Sequence, residues 1–391
     1  MKVSHIINLQ GFGGAERLFI EYLKNSSFEN YVICTSNDVN KNILSELSSS
    51  KIIYSNRIIN KLKFKYPAFI RKFILQIKIE RAKPDLVIVW DFVPKLLKKT
   101  SCPIIYYDHG CSWRYSQHGK TLEFFSMLNG AIAASHAACR VMEIRFKPVF
   151  PIETITNRLS IAIEKKTKDF IKNSVVIGTA SRLVSLKGIS VSILVVNELI
   201  RKNINTQLLI AGDGEIKNDL EELVHKLGIE KHVKFIGYQA DMSKFYKKID
   251  IYMSSPITEP FGLSCIEALS NAVPVIFPLV DGQPEAVKDG YCGIGLKPTI
   301  SIEEHKKLTG IDINFPHQVY DPINDQLTEP KLLSHIDCAN AIERLLKDPS
   351  LYESMSRNAV EWSKESMNYE KFLHEFEDAL SSFAKPALPR K

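Results

Sequence analysis

The sequence predicts an α/β chain of two domains, each a mostly parallel sheet covered on both faces by helices. Three observations carry that expectation. The 391 residues exceed what one hydrophobic core usually organises. Short apolar runs rich in Val, Ile and Tyr alternate with longer stretches whose apolar residues recur at helical spacing, the pattern of strands buried on both sides. The alternation then begins afresh at Val175, after Thr156-Asn157-Arg158 and a charged run from Glu164 to Lys172 that read together as a linker. The expected domains are residues 1–165 and 166–365, with a long insertion at about 297–333 and a terminal helix over 366–391 that crosses back to the first domain.

Composition fits this class. Apolar residues make up 45% and charged residues 24% of the chain, without a long uncharged apolar run or a signal-like N-terminus, so the expected location is the cytoplasm. Seven scattered cysteines, an odd number without paired metal spacing, fit free thiols in a reducing compartment. The net charge of +7 is unevenly spread: residues 1–170 carry +12 and residues 171–391 carry −5. Between Lys51 and Lys83 ten basic residues face one acid, Glu80, while Tyr66, Phe69, Ile70, Phe73, Ile74 and Ile77 recur at helical spacing among them. Such a basic amphipathic helix suits an anionic membrane surface, each cation adding about 1 kcal/mol near the lipid, and equally suits a core-facing helix with a solvated outer face. No motif or basic-aromatic alternation points to nucleic acid.

In chain order, Val3 to Leu9 is a first strand, and Gly11-Phe12-Gly13-Gly14-Ala15-Glu16 a glycine-rich turn into a helix, where the backbone can approach a ligand closely. Its spacing is not the dinucleotide fingerprint. Strands follow at Tyr31 to Cys34, Ile52 to Tyr54, Leu86 to Trp90 and Ile104 to Tyr107, the last delivering Asp108-His109-Gly110. Parallel sheets carry function at strand C-terminal ends, which makes His109 a candidate ligand contact, although a histidine in such a loop is often structural. Ala131 to Ser135 adds one more short strand.

In the second half, the strand Val175 to Ala180 runs into Ser181-Arg182-Leu183-Val184-Ser185-Leu186-Lys187-Gly188 and a helix from about Ile189 to Lys202. Arg182 and Lys187 beside a helix N-terminus form a cationic clamp suited to a diphosphate, or else are two solvated surface cations. The strand Gln207 to Ala211, the turn Gly212-Asp213-Gly214 and the strand Val233 to Gly237 come next, with Tyr238 placed to frame a flat base. The stretch Thr258 to Ser270 then sets Glu259 and Glu267 on either side of a Pro-Phe-Gly turn that opens a helix. The first amides of that helix lack intrahelical partners and suit an anion, while the two carboxylates suit hydroxyl pairs of a sugar and a ribose. A helix cap and a solvated face account for the same pair of glutamates.

Taken in order, Ser181-Arg182 with Lys187-Gly188, Gly212-Asp213-Gly214, Val233 to Gly237, Glu259-Pro260-Phe261-Gly262 with Glu267, the N-terminal Gly13-Gly14-Ala15-Glu16, Asp108-His109-Gly110 and Gly282-Gln283-Pro284-Glu285 resemble the family 4 retaining glycosyltransferases. The resemblance implies the GT-B fold, two facing Rossmann-like domains with parallel sheets that enclose a nucleotide-sugar donor. It implies that Arg182 and Lys187 grip the donor diphosphate and that Glu267 holds the ribose hydroxyls. Glu259 then contacts the donor sugar, with the amides of Phe261, Gly262, Leu263 and Ser264 near sugar and phosphate. His109 matches the histidine that approaches the sugar from the opposite domain, and Gly13 and Gly14 line the floor near phosphates and acceptor. The implied activity is transfer of a hexose or N-acetylhexosamine, UDP-linked by family frequency, without a metal or other cofactor. The basic amphipathic helix points to a glycan or glycolipid acceptor in lipopolysaccharide, capsule or related cell-surface polysaccharide synthesis and to peripheral attachment at the inner membrane face, with a soluble sugar or small molecule as the rival acceptor.

Two departures stand out. Asn157-Arg158 replaces the more frequent Asn-Gly, so no role is carried onto it, and the insertion at about 297–333, with Phe315, His317, Tyr320 and Asp321, suits a lid, an acceptor-side loop or an assembly surface. Two other functions share the pattern: a nucleotide-sugar 2-epimerase of the same architecture, and a sugar-nucleotide binding module that turns nothing over.

Overall fold

The computed structural model describes all residues except 12, 48–51, 59–65, 95, 97, 159, 161–173, 240, 316–317, 367 and 386–391. The chain divides into two units, Met1–Leu159 with Tyr369–Lys391, and Ser160–Asn368. The charged run from Glu164 to Lys172 lies outside the described residues, as do Lys51, Lys61, Lys63, Lys65 and His317.

The first unit is built from β1 (Lys2–Ile7), α1 (Gly14–Asn25), β2 (Glu29–Cys34), α2 (Lys41–Leu44), β3 (Ile52–Tyr54), α3 (Ala68–Ala82), β4 (Leu86–Trp90), β5 (Ile104–Asp108), α4 (Lys120–Phe125), β6 (Gly130–Ala133), α5 (His136–Phe146) and β7 (Ile152–Thr154). Its seven strands are parallel in the order β3-β2-β1-β4-β5-β6-β7. The middle strands β4 and β5 are buried at every position, as expected when helices cover both faces. Strand order reverses between β1 and β4, and the loops leaving those strands carry the glycine-rich turn and Asp91. Crevices at such reversals are where open parallel sheets bind ligands.

The second unit runs β8 (Val175–Ala180), α6 (Ile189–Arg201), β9 (Thr206–Ala211), α7 (Lys217–Leu227), β10 (Val233–Gly237), α8 (Met242–Tyr246), β11 (Ile251–Met253), α9 (Leu263–Ser270), β12 (Val275–Pro278), α10 (Gln283–Ala286) and β13 (Gly293–Leu296). These six strands form a parallel sheet in the order β10-β9-β8-β11-β12-β13, reversing between β8 and β11. The insertion is structured: β14 (Ile300–Ser301), α11 (Ile302–Thr309), the hairpin of β15 (Val319–Asp321) with β16 (Gln326–Thr328), and β17 (Lys331–Leu332), which pairs with β14. Ile311, Ile313, Phe315, Val319 and Leu332 join the same core as the sheet. Helices α12 (His335–Lys347) and α13 (Pro349–Ser366) complete the unit.

Helix α14 (Tyr369–Ala384) belongs to the first unit. Its Phe376 packs at 5.0 Å from Tyr22, 5.1 Å from Tyr107 and 6.0 Å from Trp90. Glu377 accepts hydrogen bonds from the hydroxyls of Ser26 and Ser27, and Glu375 pairs with Arg158 at 3.2 Å. Arg158, where a glycine is more frequent, thus anchors the end of the first unit to its terminal helix.

The basic segment differs from its sequence reading. The described helix begins only at Ala68. Arg57 is 4% exposed, stacked over the Tyr54 ring at 3.7 Å and bonded to the Asn37 carbonyl, and Lys78 donates to the carbonyls of Tyr54 and Arg57. Lys78 thus holds both carbonyls at the end of edge strand β3, while Arg57 ties that turn to the loop after β2. Conversely Phe69, Phe73 and Ile77, one line along the helix, are 65%, 52% and 48% exposed, while Ile74 on the neighbouring line is buried.

Candidate active site

Lys187 and Glu259 meet because their loops leave β8 and β11, adjacent strands at the sheet reversal of the second unit. Lys187 ends a short 3-10 turn, Ser185–Lys187, and its Nζ lies 2.6 Å from Glu259 Oε2. The turn is closed by Gly188 at φ 60°, and a Cβ there would lie 1.9 Å from the Ser255 carbonyl oxygen, so the two loops touch only because that residue is glycine. Ser255 reinforces the contact, its hydroxyl donating to the Gly188 carbonyl at 2.7 Å. Thr179, Ser181, Lys187, Ser254, Glu259 and Ser264 line one small polar depression at this point.

Glu259 is aimed by Asp281. This carboxylate is 1% exposed and accepts the Glu259 amide at 2.9 Å and the Thr258 hydroxyl at 2.6 Å through Oδ2, and the Tyr320 amide at 2.7 Å through Oδ1. Asp281 therefore joins the Glu259 loop to strand β15 of the insertion, which here braces the loop from behind. Gly262 follows at φ 110° as the N-cap of α9, and any side chain there would press on Gln283, whose Nε2 would stand 2.7 Å away. The first amides of α9 point out of the helix, and Ser264 borders the depression.

Glu267 sits one turn further along α9, 6% exposed, and accepts a hydrogen bond from the Tyr246 hydroxyl at 3.1 Å. Burial, with the Glu267 charge beside it, pushes the Tyr246 hydroxyl far above its ordinary range, so it stays a donor. The same hydroxyl reaches the Ser264 carbonyl, tying Glu267 to the first turn of the helix. Phe261 is buried, which leaves its backbone as the part able to meet a ligand. Arg182 is exposed in the loop after β8, where its carbonyl accepts from the Val184 amide and the Ser181 hydroxyl, and Tyr238, 61% exposed, lies beyond the end of β10. Neither lines the depression.

In the first unit, the glycine-rich turn serves as a helix cap. The Gly13 amide donates to Glu16 Oε2 at 2.9 Å, the half of a capping box that a glycine N-cap allows, at the start of α1, of which Gly14 is the first residue. His109 follows β5 directly. Its ring stacks on Trp90 at 5.6 Å and lies 4.1 Å from Tyr107, and burial pushes its pKa down to about 3, so it is neutral. Asp91, at φ 53° in the turn after β4, accepts the amides of His109 and Cys111. Asp108 accepts those of Gly110 and Ser112, and burial raises both carboxyls, the charge of Asp108 adding to the effect at Asp91.

The structure thus brings Lys187, Glu259 and Ser264 to one depression, puts Glu267 on the same short helix, and leaves Arg182 and Tyr238 outside it. His109, Gly13 and Gly14 belong to the first unit. Sequence reasoning missed Asp281, Tyr246, Asp91 and Asn157. Asp281 precedes the recognised Gly282-Gln283-Pro284-Glu285 by one residue and has its own signal, an Asp-Gly step at a strand end. Tyr246 has none, since it reads as core.

Residues 160–309 match the family model described as Glycosyl transferases group 1. The chain is 32% identical over 148 residues to an uncharacterized glycosyltransferase of Methanocaldococcus jannaschii, a stretch that covers 37% of this chain and spans 36% of that relative's length. It is 25% identical over 310 residues to the lipopolysaccharide core biosynthesis glycosyltransferase LpsE of Rhizobium meliloti, covering 75% of this chain and 84% of that one. Among solved structures, Anabaena HepE in complex with UDP superposes with a TM-score of 0.70 at 18% identity, covering 98% of this chain and 100% of HepE. The fold class is therefore GT-B, two Rossmann-like domains with parallel sheets, and the sequence similarity is to glycosyltransferases.

Proposed function

We propose that the chain is a retaining glycosyltransferase of family 4 that moves a hexose or N-acetylhexosamine from a nucleotide sugar, UDP-linked by preference, to a glycan or glycolipid of a cell-surface polysaccharide. The observation that carries the reading is the Lys187–Glu259 pair at the mouth of α9, a cation and a hydroxyl acceptor in one polar depression. A diphosphate there exchanges the Glu259 carboxylate for its own oxygens on Lys187, with Arg182 as a second cation and the α9 amides as further donors. Freed, Glu259 accepts from sugar hydroxyls, and Glu267 from the ribose.

In this reaction the bond from the anomeric carbon to the diphosphate oxygen breaks as the bond to the acceptor oxygen forms on the same face. The acceptor proton passes to the leaving phosphate oxygen. Positive charge from Lys187 and Arg182 stabilises that oxygen as it gathers charge, and no metal is required in this scheme. Support for a UDP donor comes from HepE, solved with UDP and with UDP-glucose, and for a lipopolysaccharide-type acceptor from LpsE.

Peripheral contact with an anionic membrane belongs to the same reading. Phe69, Phe73 and Ile77 form an exposed apolar line on α3 that Arg81 continues, with Lys72 alongside, so apolar and cationic groups share one face.

A panel of nucleotide sugars screened by thermal stabilisation, followed by transfer assays with the binders, tests the function. Stabilisation by one donor class, lost in Lys187→Ala, is the expected result. Acceptor-independent conversion of the free donor to its 2-epimer would assign an isomerase instead, and stabilisation without turnover of any kind a binding module.

A further inference from the structure

The imidazole of His109 is held in a network that decides which of its nitrogens carries the proton. The Tyr107 hydroxyl is fully buried, and the acceptor it reaches is Asn157 Oδ1, 2.7 Å away. A buried phenol without an acceptor is costly, so this bond fixes which end of the Asn157 amide faces Tyr107. The other end, Nδ2, lies 3.0 Å from His109 Nδ1. An amide nitrogen only donates, so Nδ1 must present its lone pair, and the single proton of the neutral ring sits on Nε2. That Nε2 is itself buried and has no partner among the described residues. The ring has little freedom to escape the arrangement, because Trp90 stacks on it and Tyr107 packs beside it. Asn157 is also held: it is 5% exposed and its backbone N–H donates to the Ala134 carbonyl just past β6.

We propose that Asn157 is a positioning residue that holds His109 in the Nε2–H tautomer, so that the ring offers a hydrogen-bond donor, not an acceptor, to a ligand oxygen that reaches Nε2. The second half of the statement rests on the nucleotide-sugar reading above, and the first half stands without it. The inference gives a function to Asn157, the first residue of the Asn157-Arg158 step, while Arg158, the residue that departs from the commoner Asn-Gly, pairs with Glu375 of the terminal helix.

The test uses the full chain labelled with 15N-histidine and free of ligand, with long-range proton-nitrogen correlations assigned to His109 by their loss in His109→Gln. The wild type should show a neutral ring protonated at Nε2. Asn157→Asp places an acceptor at Nδ1 and should move the proton there or charge the ring, and Tyr107→Phe, which releases the amide to turn over, should give a mixture of both tautomers. With the nucleotide sugar identified by the thermal screen, Asn157→Asp should lose at least about tenfold in turnover while UDP affinity stays within about twofold, the pattern of a lost donor that acts on the sugar part of the ligand. A wild-type ring protonated at Nδ1, or an Asn157→Asp ring unchanged from wild type, overturns the tautomer assignment whatever the enzyme does. A reversed tautomer with undiminished turnover overturns the role in sugar recognition. Circular dichroism of each variant separates these results from misfolding, and Asn157→Gln, which keeps the amide but not its reach, provides a second perturbation if the Asp variant does not fold.

Discussion

Lys187 Nζ stands 2.6 Å from Glu259 Oε2, two side chains 72 residues apart in sequence that neutralise each other where adjacent strands of the second unit end. A diphosphate that uses the lysine competes with Glu259 for its charge. The two obvious substitutions should therefore move nucleotide affinity in opposite directions. Lys187→Ala removes charge-assisted bonds worth about 1.5–3 kcal/mol and should weaken UDP binding by roughly 10- to 100-fold. Glu259→Gln frees the lysine and should tighten UDP binding by about two- to tenfold, while sugar transfer is lost with the carboxylate. Titration calorimetry with UDP alone reads both. Equal weakening in the two variants would mean that Glu259 does not compete with the ligand for Lys187.

Asp281 should matter as much as the residues it aims. Its carboxylate satisfies one hydroxyl and two amides, and Asp281→Ala leaves them facing a buried gap at a cost of about 2–4 kcal/mol. For a unit of this size the melting transition should fall by roughly 5–15 °C. Thr258→Val removes a single hydroxyl bond and should cost about 1 kcal/mol, with Glu259 still held by its amide. Transfer activity should follow the same order, Asp281→Ala far below Thr258→Val. Activity retained in Asp281→Ala would show that the Glu259 loop holds its shape without the insertion strand.

These two cases also show what the sequence made legible. Most strands of both sheets could be read because buried parallel strands are apolar runs, whereas the edge strands β7 and β13, short and only partly buried, went unread; Arg182, Lys187, Glu259 and Glu267 could be named because charged residues at strand ends and helix starts stand out. Their separation could not. Lys187 and Glu259 share a depression while Arg182 does not, a difference set by the Gly188 contact with Ser255 rather than by residue type. Supporting groups were invisible for a related reason: Tyr246 and Asn157 act through buried hydrogen bonds formed between distant segments, and nothing local marks them. The helical spacing of Phe69, Phe73, Ile74 and Ile77 was plain, but periodicity alone does not say which line turns inward.

The outward line leads to a prediction about lipid surfaces. Phe69→Ser, Phe73→Ser and Ile77→Ser together should reduce binding to vesicles containing anionic lipid by at least about tenfold, each large side chain contributing on the order of 1–2 kcal/mol when buried in the interface. Lys72→Gln with Arg81→Gln should lower binding less and make the remainder insensitive to salt. Sedimentation with vesicles of neutral and of anionic lipid at two salt concentrations separates the apolar from the ionic part. Binding unchanged in the triple variant would remove α3 from any membrane contact.

Acid should act on the first unit through His5, at the centre of the β1 face. Its ring is fully buried, accepts the Trp90 indole N–H at Nδ1 over 3.1 Å and bonds Asn30 Oδ1 through Nε2 over 2.8 Å. Both nitrogens are satisfied only in the neutral form, since a proton on Nδ1 would confront the indole N–H. Burial lowers its pKa to about 4, opposed by the bond to Asn30. The folded value lies below the unfolded one, so the stability His5 contributes is complete above about pH 6.5 and is lost as pH falls through about 4, reaching roughly 3 kcal/mol. Asp91 acts in the opposite sense: burial, with the Asp108 charge, raises its carboxyl, and its contribution is lost as pH rises. The wild-type profile sums these two with other buried groups, His109 and Asp108 among them, so the comparison must be made between variants. His5→Gln should be less stable than wild type at pH 7.5, by about 1–3 kcal/mol for the lost indole acceptor, yet lose less stability between pH 7 and pH 5. Denaturant unfolding followed by tryptophan fluorescence at those three pH values reads the difference, and parallel pH slopes for the two proteins would show that His5 does not titrate with unfolding.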